Sequence, residues 1–71
     1  SAQKNQALVG RKLPVLIDRV EGDFFVGRTE YDSPDVDNEV LVEAEYLPIG
    51  DFVMVEITDA SDYDLFAVVA Q

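Results

Sequence analysis

Aliphatic residues recur at every second position in several short runs. Glycine, proline or acidic residues interrupt each run before a long helix could develop. Leu13, Val15 and Ile17 share one face of the first run. In a later one Val53, Val55 and Ile57 stand against Phe52, Met54, Glu56 and Thr58. A period of two is that of a strand with one buried face. Read this way, the chain places strands at residues 13–20, 24–31, 39–44, 52–58 and 63–70.

Five short strands joined by polar connections define an all-β chain. A flat sheet of this size would leave its edges unpaired, so the expected architecture is a small five-stranded antiparallel β-barrel. Pro14 falls near a strand start, where a missing donor is tolerated. Glu21-Gly22-Asp23 and Asp59-Ala60-Ser61-Asp62 read as turns. The stretch 45–51, with Pro48 and Gly50, reads as a connection. Val40 and Val42 should face inward, as should Leu65, Ala67 and Val69. The adjacent Phe24 and Phe25 point to opposite faces, and alternation alone does not say which is inside. Gly27 within a strand pattern suggests a bulge or a close backbone approach. Residues 1–9 read as a linker or helix end from a preceding domain, with Ser1 as N-cap and Gly10 as stop, and residues 10–71 as the barrel.

Chemistry is limited by what is absent. The 71 residues include no cysteine and no histidine, which excludes disulfides, thiolate metal sites and the commonest general base. A chain this short buries only about 60% of its unfolded surface, too little for a buried active site plus a cofactor domain. It contains no apolar run near the ~18 residues of a membrane span. No signal-peptide pattern or glycosylation acceptor is visible, so a cytoplasmic setting is expected.

Charge is the other strong signal. The net charge is −10, from 15 acids and 5 bases. Every base, Lys4, Arg11, Lys12, Arg19 and Arg28, lies in the first 28 positions beside only Asp18, Glu21 and Asp23, a balance of +2. The other 12 acids lie beyond position 28 with no base. Such a surface repels phosphate and attracts a basic polypeptide; excess acid also keeps a small domain soluble. The acids are prominent in the stretch 27–40, GRTEYDSPDVDNEV, where Pro34 holds the chain open and Asp32 and Asn38 can brace the corners.

In order along the chain, Val9-Gly10-Arg11, Val15-Leu16-Ile17-Asp18, Gly27-Arg28-Thr29, Gly50-Asp51-Phe52-Val53 with Val55 and Ile57-Thr58, and Tyr63-Asp64-Leu65 resemble a TRAM domain. The resemblance runs from about Val9 to Val69. TRAM domains are compact five-stranded barrels related to the oligonucleotide-binding fold and often sit at the C-terminus of RNA-modifying enzymes. Within that group the central stretch is similar to the RimO-like ribosomal protein methylthiotransferases. It has their Gly-Arg-Thr followed by a small-Pro-acid-aliphatic-Asp run, and Ile57-Thr58-Asp59-Ala60 also suits them. The resemblance implies a radical S-adenosylmethionine parent enzyme with two [4Fe–4S] clusters. It would methylthiolate the β-carbon of an aspartate in a small-subunit ribosomal protein. Cluster ligation is by thiolate, so this cysteine-free chain would be a non-catalytic accessory domain.

On that reading Arg28, Tyr31, Asp32, Asp35, Asp37 and Glu39 form the partner-binding set, the acids facing Lys and Arg of the substrate. The same stretch also reads as a plain solvated loop. As a calcium loop it fails, because Val40 stands where glycine is needed and Tyr46 where the closing glutamate is. Arg28 suits a structural role beside so many carboxylates better than ligand contact. The alternative is RNA binding through Arg11, Lys12, Arg19 and Arg28, with Phe24 or Phe25 as a stacking platform. Phe52, Tyr63 and Phe66 are expected to close barrel ends or cover the core. Asp62 and Asp64 are paired acids without the rest of an active site. The domain could also pack mainly against its own catalytic domain.

Overall fold

The computed structural model describes residues 6–29 and 39–70. Its five strands are β1 (Lys12–Glu21), β2 (Phe24–Thr29), β3 (Glu39–Glu43), β4 (Phe52–Ala60) and β5 (Asp64–Val69). They close into a barrel in the order β1-β2-β3-β5-β4. Four of its seams are antiparallel, as expected for this barrel. The fifth, β3 against β5, is parallel, with Val40 opposite Leu65 and Val42 opposite Ala67. Alternation sets which face of a strand is buried but carries no information on which strands meet, so this seam could not be read from the pattern.

The inward residues form one core: Leu13, Val15 and Ile17 of β1, Val40 and Val42 of β3, Val55 and Ile57 of β4, Leu65 and Ala67 of β5. Phe25, not Phe24, joins them, because it lies directly between Val20 and Val42 on the inner face. Leu47, from the connection expected to be merely polar, is also buried in the core. Val69 was expected inside and is exposed, since the inward run of β5 ends at Ala67.

Two bulges shape the barrel. On β1, Ile17 pairs with Gly27 and Arg19 with Val26, which leaves Asp18 as an extra residue. On β4, Ile57 pairs with Ala67 and Asp59 with Phe66, leaving Thr58 extra. Each insertion reverses the phase of the strand. Beyond Asp18, Val20 faces inward and Arg19 outward. Beyond Thr58, Ala60 turns in and packs on the core. The bulges also explain why β1 runs on to Glu21 and β4 to Ala60, although 21 and 59–60 had been read as turn. The remaining turn at 61–63 is closed by the Ser61 amide donating to the Asp64 carbonyl at 2.8 Å.

Gly27 sits opposite the first bulge and is the close approach that the sequence suggests. A Cβ there would collide with the Leu16 carbonyl oxygen and stand 2.6 Å from Val15 Cγ1. The β1–β2 hairpin turns through Gly22-Asp23, with Gly22 at φ +59° and no positive φ at Asp23, the arrangement of a type II′ turn. Before β1, Gly10 donates to the Ile57 carbonyl at 2.7 Å and Gln6 Nε2 to Ala60 O at 3.0 Å, so this lead-in is fastened along β4.

Candidate partner-binding surface

Strand β2 leaves its last described residue, Thr29, at the end of the barrel where Glu39 opens β3. Of the six residues in the expected partner-binding set, Arg28 and Glu39 flank this point. Tyr31, Asp32, Asp35 and Asp37 lie outside the described residues.

The described cations near this rim are engaged. Arg19 Nη2 lies 2.8 Å from Glu39 Oε2 and Arg19 Nε 3.2 Å from Glu21 Oε1. Arg19 stands on β1 and Glu39 on β3, so the guanidinium has to cross β2 on the outer face. Its register neighbour there is Val26, which is only 1% exposed although it points away from the core. The arginine stem is thus a cover as well as a charge carrier. The hydrogen bonds that Arg19 donates to Glu39, and next to Glu21, raise its pKa above the ordinary value. Arg28 meets Asp18, the bulged residue, at 3.4 Å. Its partner is thus on β1; the acidic loop that Arg28 was expected to pair with lies outside the described residues.

Two of the four residues of the RNA-binding alternative are therefore committed to carboxylates of the same chain. Arg11 and Lys12 remain, exposed at the start of β1. They are separated from Arg19 by seven or eight residues of strand, about 20–25 Å. Of the two expected stacking candidates, Phe25 is in the core and Phe24 is half-buried. Of Phe52, Tyr63 and Phe66, expected to close barrel ends or cover the core, Phe52 and Tyr63 are 58% and 78% exposed, and Phe66 is half-buried. They point outward because inward phase on β4 and β5 belongs to their odd-numbered neighbours, and Tyr63 precedes β5 altogether.

The opposite end of β2 and β3 holds a feature that the strand pattern did not reveal. A cleft of about 520 Å³ is lined by Val20 and Phe25, by Gly22 and Asp23 of the hairpin, and by Glu43, Ala44 and Glu45 where β3 ends. Val20 and Phe25 are register partners on the inner face, so the cleft is the mouth of the barrel. The Tyr46 ring stands edge-on to Phe25 with centroids 6.4 Å apart. Asp23, Glu43 and Glu45 are all exposed, and none forms an ion pair among the described residues. In sequence these acids are scattered over 23 positions; the hairpin and the end of β3 bring them together.

Fold and surface together define a small OB-like barrel that presents carboxylates. Among the described residues no three His, Cys, Asp or Glu side chains are grouped to hold a metal ion. Residues 9–70 match the family described as TRAM domain, and the chain belongs to that family. Its sequence is 52% identical over 69 residues to the ribosomal protein uS12 methylthiotransferase RimO of Bacteroides thetaiotaomicron, covering 94% of this chain and 16% of that protein. Identity to the RimO protein of Christiangramia forsetii is 54%, over 93% of this chain and 15% of the relative. For that of Chloroherpeton thalassium it is 53%, over 89% and 16%. The chain thus spans about one sixth of the length of the curated relatives that it matches.

Proposed function

We propose that this barrel is the substrate-holding module of a ribosomal protein methylthiotransferase, and that it binds basic uS12 through its acidic surface. The supporting observation is the division of the ion pairs: Arg19 and Arg28 are consumed internally, while Asp23, Glu43 and Glu45 keep their charge facing solvent. A net charge of −10 with that exposure draws in a polypeptide rich in lysine and arginine and repels a phosphate backbone.

The methylthio transfer to an aspartate belongs to sequence outside these 71 residues. The two [4Fe–4S] clusters of such an enzyme need thiolates, and this chain has no cysteine to give. Its contribution is to raise the local concentration of the substrate and to orient it, with the reaction taking place in the cytoplasm. Asp32, Asp35, Asp37 and Glu39, with Arg28 and Tyr31, are proposed as one contact edge.

Titration of the 71-residue chain with purified uS12 tests this reading. Binding at low ionic strength should weaken about fivefold or more when Asp35→Asn and Asp37→Asn are combined, the loss expected for two charges at an interface rim. tRNA at the same ionic strength should not bind. Absence of uS12 binding, or tRNA binding that disappears with Arg11→Ala and Lys12→Ala, would overturn the proposal in favour of RNA.

A further inference from the structure

Carboxylates on a strand edge are ordinarily a solvated border, and bare negative charge selects no particular ligand. The mouth of this barrel has a second property. Its floor is apolar, made by Phe25 with Val20 and Ala44, while acidic residues stand on the walls. Val20 is 56% exposed despite pointing along the inner face, because it lies one pair from the hairpin, at the open end of the barrel. A hydrated metal ion has no use for such a floor, and an apolar side chain has none for such walls. A side chain with a methylene stem and a cationic head satisfies both.

Resting on the function proposed above, we infer that this cleft seats a single lysine or arginine side chain of the basic polypeptide. The stem lies against Phe25 and Val20, and the charged head is directed to Asp23, Glu43 and Glu45. Charge complementarity supports this occupant. No described base lines the cleft: Arg19 is held between Glu21 and Glu39, Arg28 pairs with Asp18, and Arg11 and Lys12 are at the far end of β1. The edge-on contact with Phe25 also places the exposed Tyr46 ring beside the mouth, where a cation can approach an aromatic surface. The volume is within the range of small-ligand sites. It accommodates one long side chain and the backbone that carries it. The cleft lies at the end of β2 and β3 opposite Thr29 and Glu39, so the substrate would be held at two separate points.

The test fills the cleft with a cation from the chain itself. Val20→Lys puts an ammonium in the mouth, and Met54→Lys adds the same charge at an equally exposed outward position on β4. Both replace exposed residues, and thermal melts establish that each folds. Affinity for uS12 is then measured for wild type and both variants at one ionic strength. Val20→Lys should weaken binding about tenfold or more and Met54→Lys about twofold, because only the first competes for the site. Equal losses would overturn the cleft while leaving acidic-surface recognition intact. If wild-type chain fails to bind uS12 at all, the proposed function falls, and the cleft inference with it.

Discussion

Gly27 is the residue with least freedom to change. Its backbone φ is ordinary for any amino acid, and the constraint is space: the β1 backbone at Leu16 occupies the volume that a methyl group would need. Gly27→Ala should therefore destabilise by about 1–3 kcal/mol through overpacking, lowering Tm by about 5–20 °C for a domain of this size. Gly22 presents the converse case, with open space around it but φ at +59°. Gly22→Ala should cost about 1 kcal/mol, from backbone strain alone. Melting curves that rank the two substitutions in the opposite order would refute the close packing of Gly27 on Leu16. Arg19 combines two roles that substitution can separate. Arg19→Met keeps a stem over Val26 and discards the charge, and Arg19→Ala discards both, so the alanine variant should melt at the lower temperature. Because Glu39 and Glu21 raise the Arg19 pKa, the stability it contributes is fully present below the unfolded-state pKa. It is lost only as pH rises through the higher folded value. The Arg19 side of these ion pairs is thus constant across neutral pH.

At the level of strands, the bulges at Asp18 and Thr58 decide which side chains reach the core and which face outward. Ile57 stands just before the second bulge with no exposed surface. Truncation to alanine there should cost about 2–5 kcal/mol, and Ile57→Val about 0.5–1.5 kcal/mol. Urea titration checks both values, and equal midpoints for wild type and Ile57→Ala would contradict the closed core. The inward set Leu13, Val15, Ile17, Val40, Val42, Val55 and Ile57 was legible in the sequence, since each lies on an unbroken stretch of alternation. Val20, Ala60 and Val69 were not, because their orientation depends on where pairing slips or ends, and that is a property of two strands. The same limit applies to Phe25, whose side is fixed by Val20 and Val42 across the seams. Gly27 did announce an irregularity, but the extra residue sits on its partner. The barrel-mouth acids escaped notice for a related reason. Asp23 was read only as turn, Glu43 as an outward strand residue and Glu45 as connection. Their grouping is set by β1, β2 and β3 meeting at one end.

Over the whole molecule, electrostatics act in opposite directions on folding and on binding. The domain measures about 30 × 23 × 20 Å and carries a net charge of −10. At about 10 mM salt the screening length is about 30 Å, so every carboxylate is felt across the full width of the barrel. At about 150 mM it is about 8 Å, and repulsion is confined to near neighbours. The ion pairs of Arg19 and Arg28 are surface contacts, and exposed pairs of this kind contribute little for salt to remove. Self-repulsion therefore dominates, and Tm should rise as salt is added across this range. If the proposed function holds, association with uS12 should respond the other way, its rate constant falling about tenfold or more, because the same field would steer a cationic partner inward. Measuring both by calorimetry and stopped-flow mixing in one buffer series separates long-range attraction from apolar docking. A binding rate indifferent to salt, with Tm still rising, would mean that the acidic surface serves solubility and that recognition lies elsewhere on the barrel.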